Sequence, residues 1–115
     1  MKLIVAVIQP PKLEAVRQAL TKVEVERMTI TDAQGYARQR GRTEMYRGHE
    51  YKTNLLRKVL IEIAVNDDFF DRTIEAISEV ARTGPEGAFG DGKIFVLPLL
   101  EVIQIGGPDR GPGAV

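Results

Sequence analysis

Between Gln34 and Tyr51 the chain reads Gln-Gly-Tyr-Ala-Arg-Gln-Arg-Gly-Arg-Thr-Glu-Met-Tyr-Arg-Gly-His-Glu-Tyr, with three glycines, four arginines and three tyrosines. The stretch is too polar for a core and too patterned for a plain connector. A loop of this length in a compact domain usually binds something. A second segment, Gly90-Asp91-Gly92-Lys93, is a glycine-rich turn with a cation at its exit. Such a turn can offer backbone N–H groups to phosphate oxygens while the ammonium adds charge. The same composition also serves as an ordinary connection between elements. His49, the sole histidine, has no neighbours at metal-ligand spacing and reads as a loop residue. There is no cysteine, which removes disulfides, thiol nucleophiles and thiolate metal sites and fits a reducing cytoplasm.

The elements that must position these residues follow from periodicity. Leu3 to Ile8 is a short apolar run ending at Gln9-Pro10-Pro11; it is too short for a signal peptide core and reads as a buried strand. Lys12 to Val23 puts Leu13, Val16, Leu20 and Val23 on one helical face. Met28 to Thr31 is a strand entering the long loop, and Lys58 to Val65 leaves it with Val59, Ile61, Ile63 and Val65 on one face. Lys58 and Glu62 share the other face with Leu60 and Ala64. Asn66-Asp67-Asp68 offers capping oxygens to a second helix, whose stripe is Phe70, Ile74, Ile77 and Ala81. Ile94 to Leu97 is a fourth strand, and Glu101 to Ile105 a short further one.

This order predicts an α+β fold, a ferredoxin-like βαββαβ sandwich with a long exposed loop, about 36–55, between strands 2 and 3. A faint duplication of a strand-helix unit in the two halves agrees with it. Residues 1–105 form one domain and 106–115 a flexible tail. Two helices cannot cover both faces of such a sheet, so the face carrying Leu60 and Ala64 calls for self-association.

Sixteen basic residues balance sixteen acidic ones, so no net field draws the chain to nucleic acid or an anionic membrane. The strand at Lys58–Val65 also lacks the stacking aromatics of an RNA-recognition module. An acylphosphatase-like reading has arginines for phosphate, Arg38 or Arg47, but no convincing nucleophile or base. The chain is therefore expected not to be an enzyme. No apolar segment approaches the roughly 20 residues that span a bilayer, so a soluble protein is expected.

Gly35, Arg38-Gln39, Gly41, Thr43-Glu44, Tyr46-Arg47-Gly48 and Tyr51, followed by Thr83-Gly84 and Gly90-Asp91-Gly92-Lys93, closely resemble the signature of the nitrogen regulatory PII signal-transduction proteins. The resemblance runs through nearly the whole chain. It implies a cytoplasmic, allosteric homotrimer with ligand clefts between subunits, which binds ATP or ADP and controls targets through the long loop. By position, the nucleotide-contacting residues are Thr29, Gly35, Tyr36, Ala37, Arg38, Glu62, Ala64, Gly90, Gly92 and Lys93. The 2-oxoglutarate residues are Gln39, Arg40, Gly41 and Lys58, with Gln39 also a ligand of a Mg2+ shared with the nucleotide and effector. Position 40, usually lysine in the family, is Arg40 here. Tyr51 matches the site of uridylylation or adenylylation; a tyrosine there can equally be a docking contact. The implied partners are an ammonium transporter, the only route to a membrane, and nitrogen-regulatory enzymes or sensor kinases.

Two departures stand out. The family's last strand supplies two arginines to the nucleotide phosphates, where this chain has Gln104 and Gly106. Losing two charge-assisted hydrogen bonds of about 1.5–3 kcal/mol each weakens triphosphate binding by about two orders of magnitude or more. Arg82 and Arg110 are candidate replacements. In addition, Pro85-Glu86-Gly87-Ala88-Phe89 lengthens the connection before Gly90 and brings in an acidic group. The alternative function is thus a divergent PII-like sensor of ADP or AMP with another anion such as bicarbonate.

Overall fold

The apolar run at the N-terminus becomes the strand β1 (Lys2–Ile8), and its lack of polar alternation has a structural cause. In this computed structural model β1 lies between two partners in a four-stranded antiparallel sheet, with β5 (Thr53–Val65) on one side and β6 (Gly92–Pro98) on the other. Lys2 pairs with Val65 and with Pro98, and Ile8 with Val59 and Gly92. Strand β2 (Thr29–Arg38) completes the sheet beside β5. The structure describes residues 1–38, 44–46, 49–51 and 53–115, and the side chains of those outside 37–54.

Period-2 alternation sorts the residues onto two faces. Ile4, Ala6 and Ile8 of β1 and Val59, Ile61, Ile63 and Val65 of β5 are buried beneath two helices. The helices are α1 (Leu13–Lys22), which buries Val16 and Leu20, and α2 (Asp67–Ala81), which buries Thr73, Ala76, Ile77 and Ala81. The predicted α+β, ferredoxin-like order of strand, helix, strand, strand, helix, strand is the observed one. The opposite face carries Leu3, Val5, Val7, Leu60, Glu62 and Ala64, all partly buried, with Phe95 and Leu97 exposed beside them.

Local chemistry sets the helix ends. A 3-10 turn at Pro10–Lys12 leads into α1, proline pre-setting φ for its first position. At the other end Glu24 adopts φ 66°, while its N–H bonds the Thr21 carbonyl and the Val25 N–H bonds the Leu20 carbonyl at 2.9 Å. This is a Schellman closure with a non-glycine residue in the left-handed position. At α2 the expected side-chain cap is absent. The Asn66 amide instead donates to the Pro112 carbonyl, and its Oδ1 is buried without a hydrogen-bond partner among the described residues. Asp67 receives the N-terminal ammonium and Lys2 Nζ, each at 3.1 Å, which holds its carboxyl below the ordinary value.

Two expectations change, the reach of the arm strands and the strand at Glu101–Ile105. Strands β2 and β5 both run further into the loop than predicted, pairing without a break from Thr29–Glu62 to Arg38–Thr53. Inside the loop, β3 (Glu44–Tyr46) and β4 (His49–Tyr51) form a short antiparallel ribbon. In the segment 106–115, Arg110 bridges Ile103, the Gly111 N–H bonds the Val102 carbonyl at 2.7 Å, and Ala114 is buried. The further strand expected at Glu101–Ile105 reduces to that one bridge among the described residues.

Candidate functional site

Two kinds of residue meet where β1 ends, β6 begins and β5 passes between them and β2. The first is the turn that joins α2 to β6. Asp91 gathers it: the Thr83 hydroxyl donates to Oδ1 at 2.6 Å, and the Thr83 and Ala88 N–H groups donate to Oδ2 at 2.9 and 2.7 Å. These donors, the hydroxyl first, lower the Asp91 carboxyl from 3.8 to about 2, with a small contribution from the Lys12 charge. The longer Pro85–Phe89 connection is therefore tied at both ends, and glycines with φ 67° and 81° at Gly84 and Gly87 turn it back on itself.

The second kind is the row of long polar side chains on the open face. Lys58 Nζ donates to the Gly90 carbonyl at 3.0 Å, and Gln9 Nε2 donates to the same oxygen at 3.1 Å. Gly35, beside Lys58 on the neighbouring strand, leaves room for it: a Cβ there would lie 3.3 Å from Lys58 Cγ. Gly92, with φ 126°, passes so close to β1 that a Cβ would run into the Val7 carbonyl oxygen. At Gly90, φ 94°, a Cβ would meet nothing within 4 Å, so the turn has open space above it. Lys93 is exposed on the same face and has no salt-bridge partner among the described residues. Open backbone beside an uncommitted ammonium suits an anionic group such as phosphate.

The remaining candidate residues divide. Glu62, Ala64 and Thr29, which pairs with Glu62, lie further along the sheet, Glu62 four residues and about 13 Å from Lys58. By register Lys93 lies across Val7 from Leu60, so Glu62 is two strands over and two residues along from it. Tyr36 is 69% exposed on the β2–β5 arm, and Ala37 and Arg38 are its last β2 rungs. Gln39, Arg40 and Gly41 lie outside the described residues; Tyr51 ends β4. Among the described residues no group of three histidines or acids could hold a metal, and Gln39, the expected metal ligand, lies outside them.

Of the candidate replacements for the missing arginines, Arg110 is bound to Glu101 through Nε at 2.6 Å and through Nη2. It lies in the segment after β6, where it also bridges Ile103. Arg82 lines a cleft of about 580 Å3 between α2 and β6 together with Lys93, Glu86, Phe89, Ile77 and Ile94. Sequence reasoning missed Asp91 and Gln9. The signal for Asp91 was present, since aspartate between turn glycines commonly bonds nearby backbone N–H groups; Gln9 gave none.

The fold and site define a ferredoxin-like α+β protein with a glycine-rich turn tied to a lysine at the foot of a long β-arm. Residues 1–107 match the family described as nitrogen regulatory protein P-II, and the chain belongs to that family. It is 50% identical over 115 residues to the nitrogen regulatory protein GlnK1 of Methanosarcina mazei, covering 100% of this chain and 97% of the relative. It is 46% identical over 115 residues to nitrogen regulatory protein P-II of Azospirillum brasilense, covering all of both. To nitrogen regulatory protein GlnK of Escherichia coli it is 47% identical over 105 residues, 91% of each chain. It is accordingly a PII-type nitrogen regulatory protein and not an enzyme. Among the described residues, no helix is long and apolar enough to cross a membrane.

Proposed function

We propose that this chain is a cytoplasmic allosteric regulator that binds an adenine nucleotide, ATP or ADP, and a small anion, 2-oxoglutarate, between the subunits of a homotrimer. Occupancy sets the shape of the 36–55 loop, which protein targets of nitrogen metabolism, such as an ammonium transporter, read. The observation that carries this reading is the Asp91-tied turn, with open space over Gly90 and Lys93 uncommitted beside it. The open sheet face, with Phe95 and Leu97 exposed on it, supports burial of that face against other copies of the chain.

In this mechanism Lys93 and the turn's N–H groups hold phosphate, while Gly35, Tyr36, Ala37 and Arg38 meet the nucleotide from the base of the arm. Lys58 pairs with the far carboxylate of the effector, and Gln39, Arg40 and Gly41 fix its near end. Gln39 would be the residue that holds Mg2+, which would supply charge neutralisation for the phosphates and the effector. Because Gly35 to Arg38 are the last rungs of β2, ordering them selects one loop conformation. Tyr51 is the candidate position for nucleotidylylation by a partner enzyme.

Calorimetric titration with ATP, ADP and AMP, each with Mg2+ and with or without 2-oxoglutarate, tests the reading. Micromolar ATP binding tightened by 2-oxoglutarate, and weakened about 10- to 100-fold in Lys93→Ala, is expected, since a charge-assisted contact contributes about 1.5–3 kcal/mol. Absence of binding by all three nucleotides overturns it. A second reading, a sensor of ADP or AMP with bicarbonate or another anion, is favoured by Glu86 lining the same cleft as Lys93 and by Gln104 and Gly106. ADP or AMP binding without a 2-oxoglutarate effect would select it.

A further inference from the structure

We infer that Asp91 is a positioning residue for Lys58: by tying the turn at Thr83 and Ala88 it sets the Gly90 carbonyl on the Lys58 ammonium, so an anion reaching Lys58 must displace a partner that the protein itself supplies. Lys58 and Gly90 are 32 residues apart in sequence, and their 3.0 Å contact joins the strand that becomes the loop arm to the glycine-rich turn. The contact depends on where the turn sits. Gly90 precedes Asp91 directly, and the Asp91 N–H also bonds the Ala88 carbonyl at 3.2 Å, so the carboxylate and the main chain close one ring around residues 83–91. With both flanking glycines at positive φ, 94° and 126°, the turn has little steric bias of its own, and the three bonds to the carboxylate choose its shape. On the other side Lys58 is itself held, its stem passing the bare Gly35. A lysine with a fixed carbonyl partner is a guarded cation, and the guard is released when the turn moves. That Lys58 receives an effector anion rests on the function proposed above; the linkage from Asp91 through Gly90 to Lys58 does not.

The test is lysine acylation of the ligand-free full chain with an N-hydroxysuccinimide acetate, read residue by residue by mass spectrometry, alongside amide hydrogen exchange. In Asp91→Ala, Lys58 labelling is expected to rise at least threefold while Lys93 and Lys22 keep their rates, and the Thr83 and Ala88 amides exchange faster. Thr83→Val, which removes one donor only, gives a smaller rise of the same kind. Faster Thr83 and Ala88 exchange with Lys58 labelling unchanged overturns the inference. Should Asp91→Ala unfold, all lysines label alike, and Thr83→Val and Asp91→Asn decide by the same criterion. Nucleotide titration of the same samples separates the two claims. No binding by the wild type together with the Lys58 response removes the proposed function and leaves the linkage standing.

Discussion

At the scale of single residues, the turn before β6 makes two predictions. The Asp91 carboxyl is depressed from 3.8 to about 2 by donors that need its charged form. Its contribution to stability is therefore full above about pH 4 and is lost as pH falls through about 2. In urea unfolding, the midpoint gap between wild type and Asp91→Asn should be constant above that pH and close towards pH 2; a gap independent of pH would contradict the charge-based account. Gly92→Ala puts a Cβ against the Val7 carbonyl oxygen at a φ unsuited to L-residues, and should cost about 2–4 kcal/mol in chemical denaturation. Gly90 and Lys93 could be picked out from sequence because glycine and lysine advertise their chemistry by type. Gln9 could not, since its partner is a carbonyl 81 residues away and side-chain type says nothing of distance.

At the scale of elements, apolar periodicity located α1, α2 and the core half of β5, because each buries one face: Val16 and Leu20, Ile77 and Ala81, Ile61 and Ile63. The outer halves of β2 and β5 escaped it. Their rungs from Gln34–Arg57 to Arg38–Thr53 are joined by backbone hydrogen bonds, and among the described side chains there, Gln34 to Tyr36 and Leu55 to Arg57, none is buried, so no hydrophobic alternation is imposed on them. The contacts of segment 106–115 are of the same backbone kind, the carbonyls of Pro112 and Val115 receiving Asn66 and Arg27, and side-chain type does not announce them. Glu24, in the left-handed closing position of α1, should be improved upon by glycine: Glu24→Gly is expected to stabilise by about 0.5–1 kcal/mol, measured as a rise in denaturation midpoint. Ile77→Ala, at 1% exposure beneath the sheet, should cost about 2–5 kcal/mol in the same assay.

At the scale of the whole molecule, the open sheet face joins partly buried Leu3, Val5, Val7 and Leu60 to Phe95 and Leu97, which are 51% and 46% exposed. An apolar surface of this kind is costly to leave in water. Leu60→Glu should shift the proposed trimer towards monomer in light scattering while leaving the circular dichroism intact; a monomeric wild type, or an unchanged mass in the variant, would contradict assembly through this face. The candidate site follows the same division: one group of residues could be assembled from a single chain, the other could be recognised only by family resemblance. The central position of β1 has a further consequence, this time for synthesis. Strand β1 emerges before both its neighbours, pairing Lys2 with Val65 and with Pro98, partners 63 and 96 residues later in the chain. At ribosomal rates of about 5–20 residues per second, it waits several seconds for either neighbour. Through that interval Leu3-Ile4-Val5-Ala6-Val7-Ile8 is an uncovered β-forming hexamer, and the nascent chain, more than the finished protein, is where this sequence is exposed to aggregation.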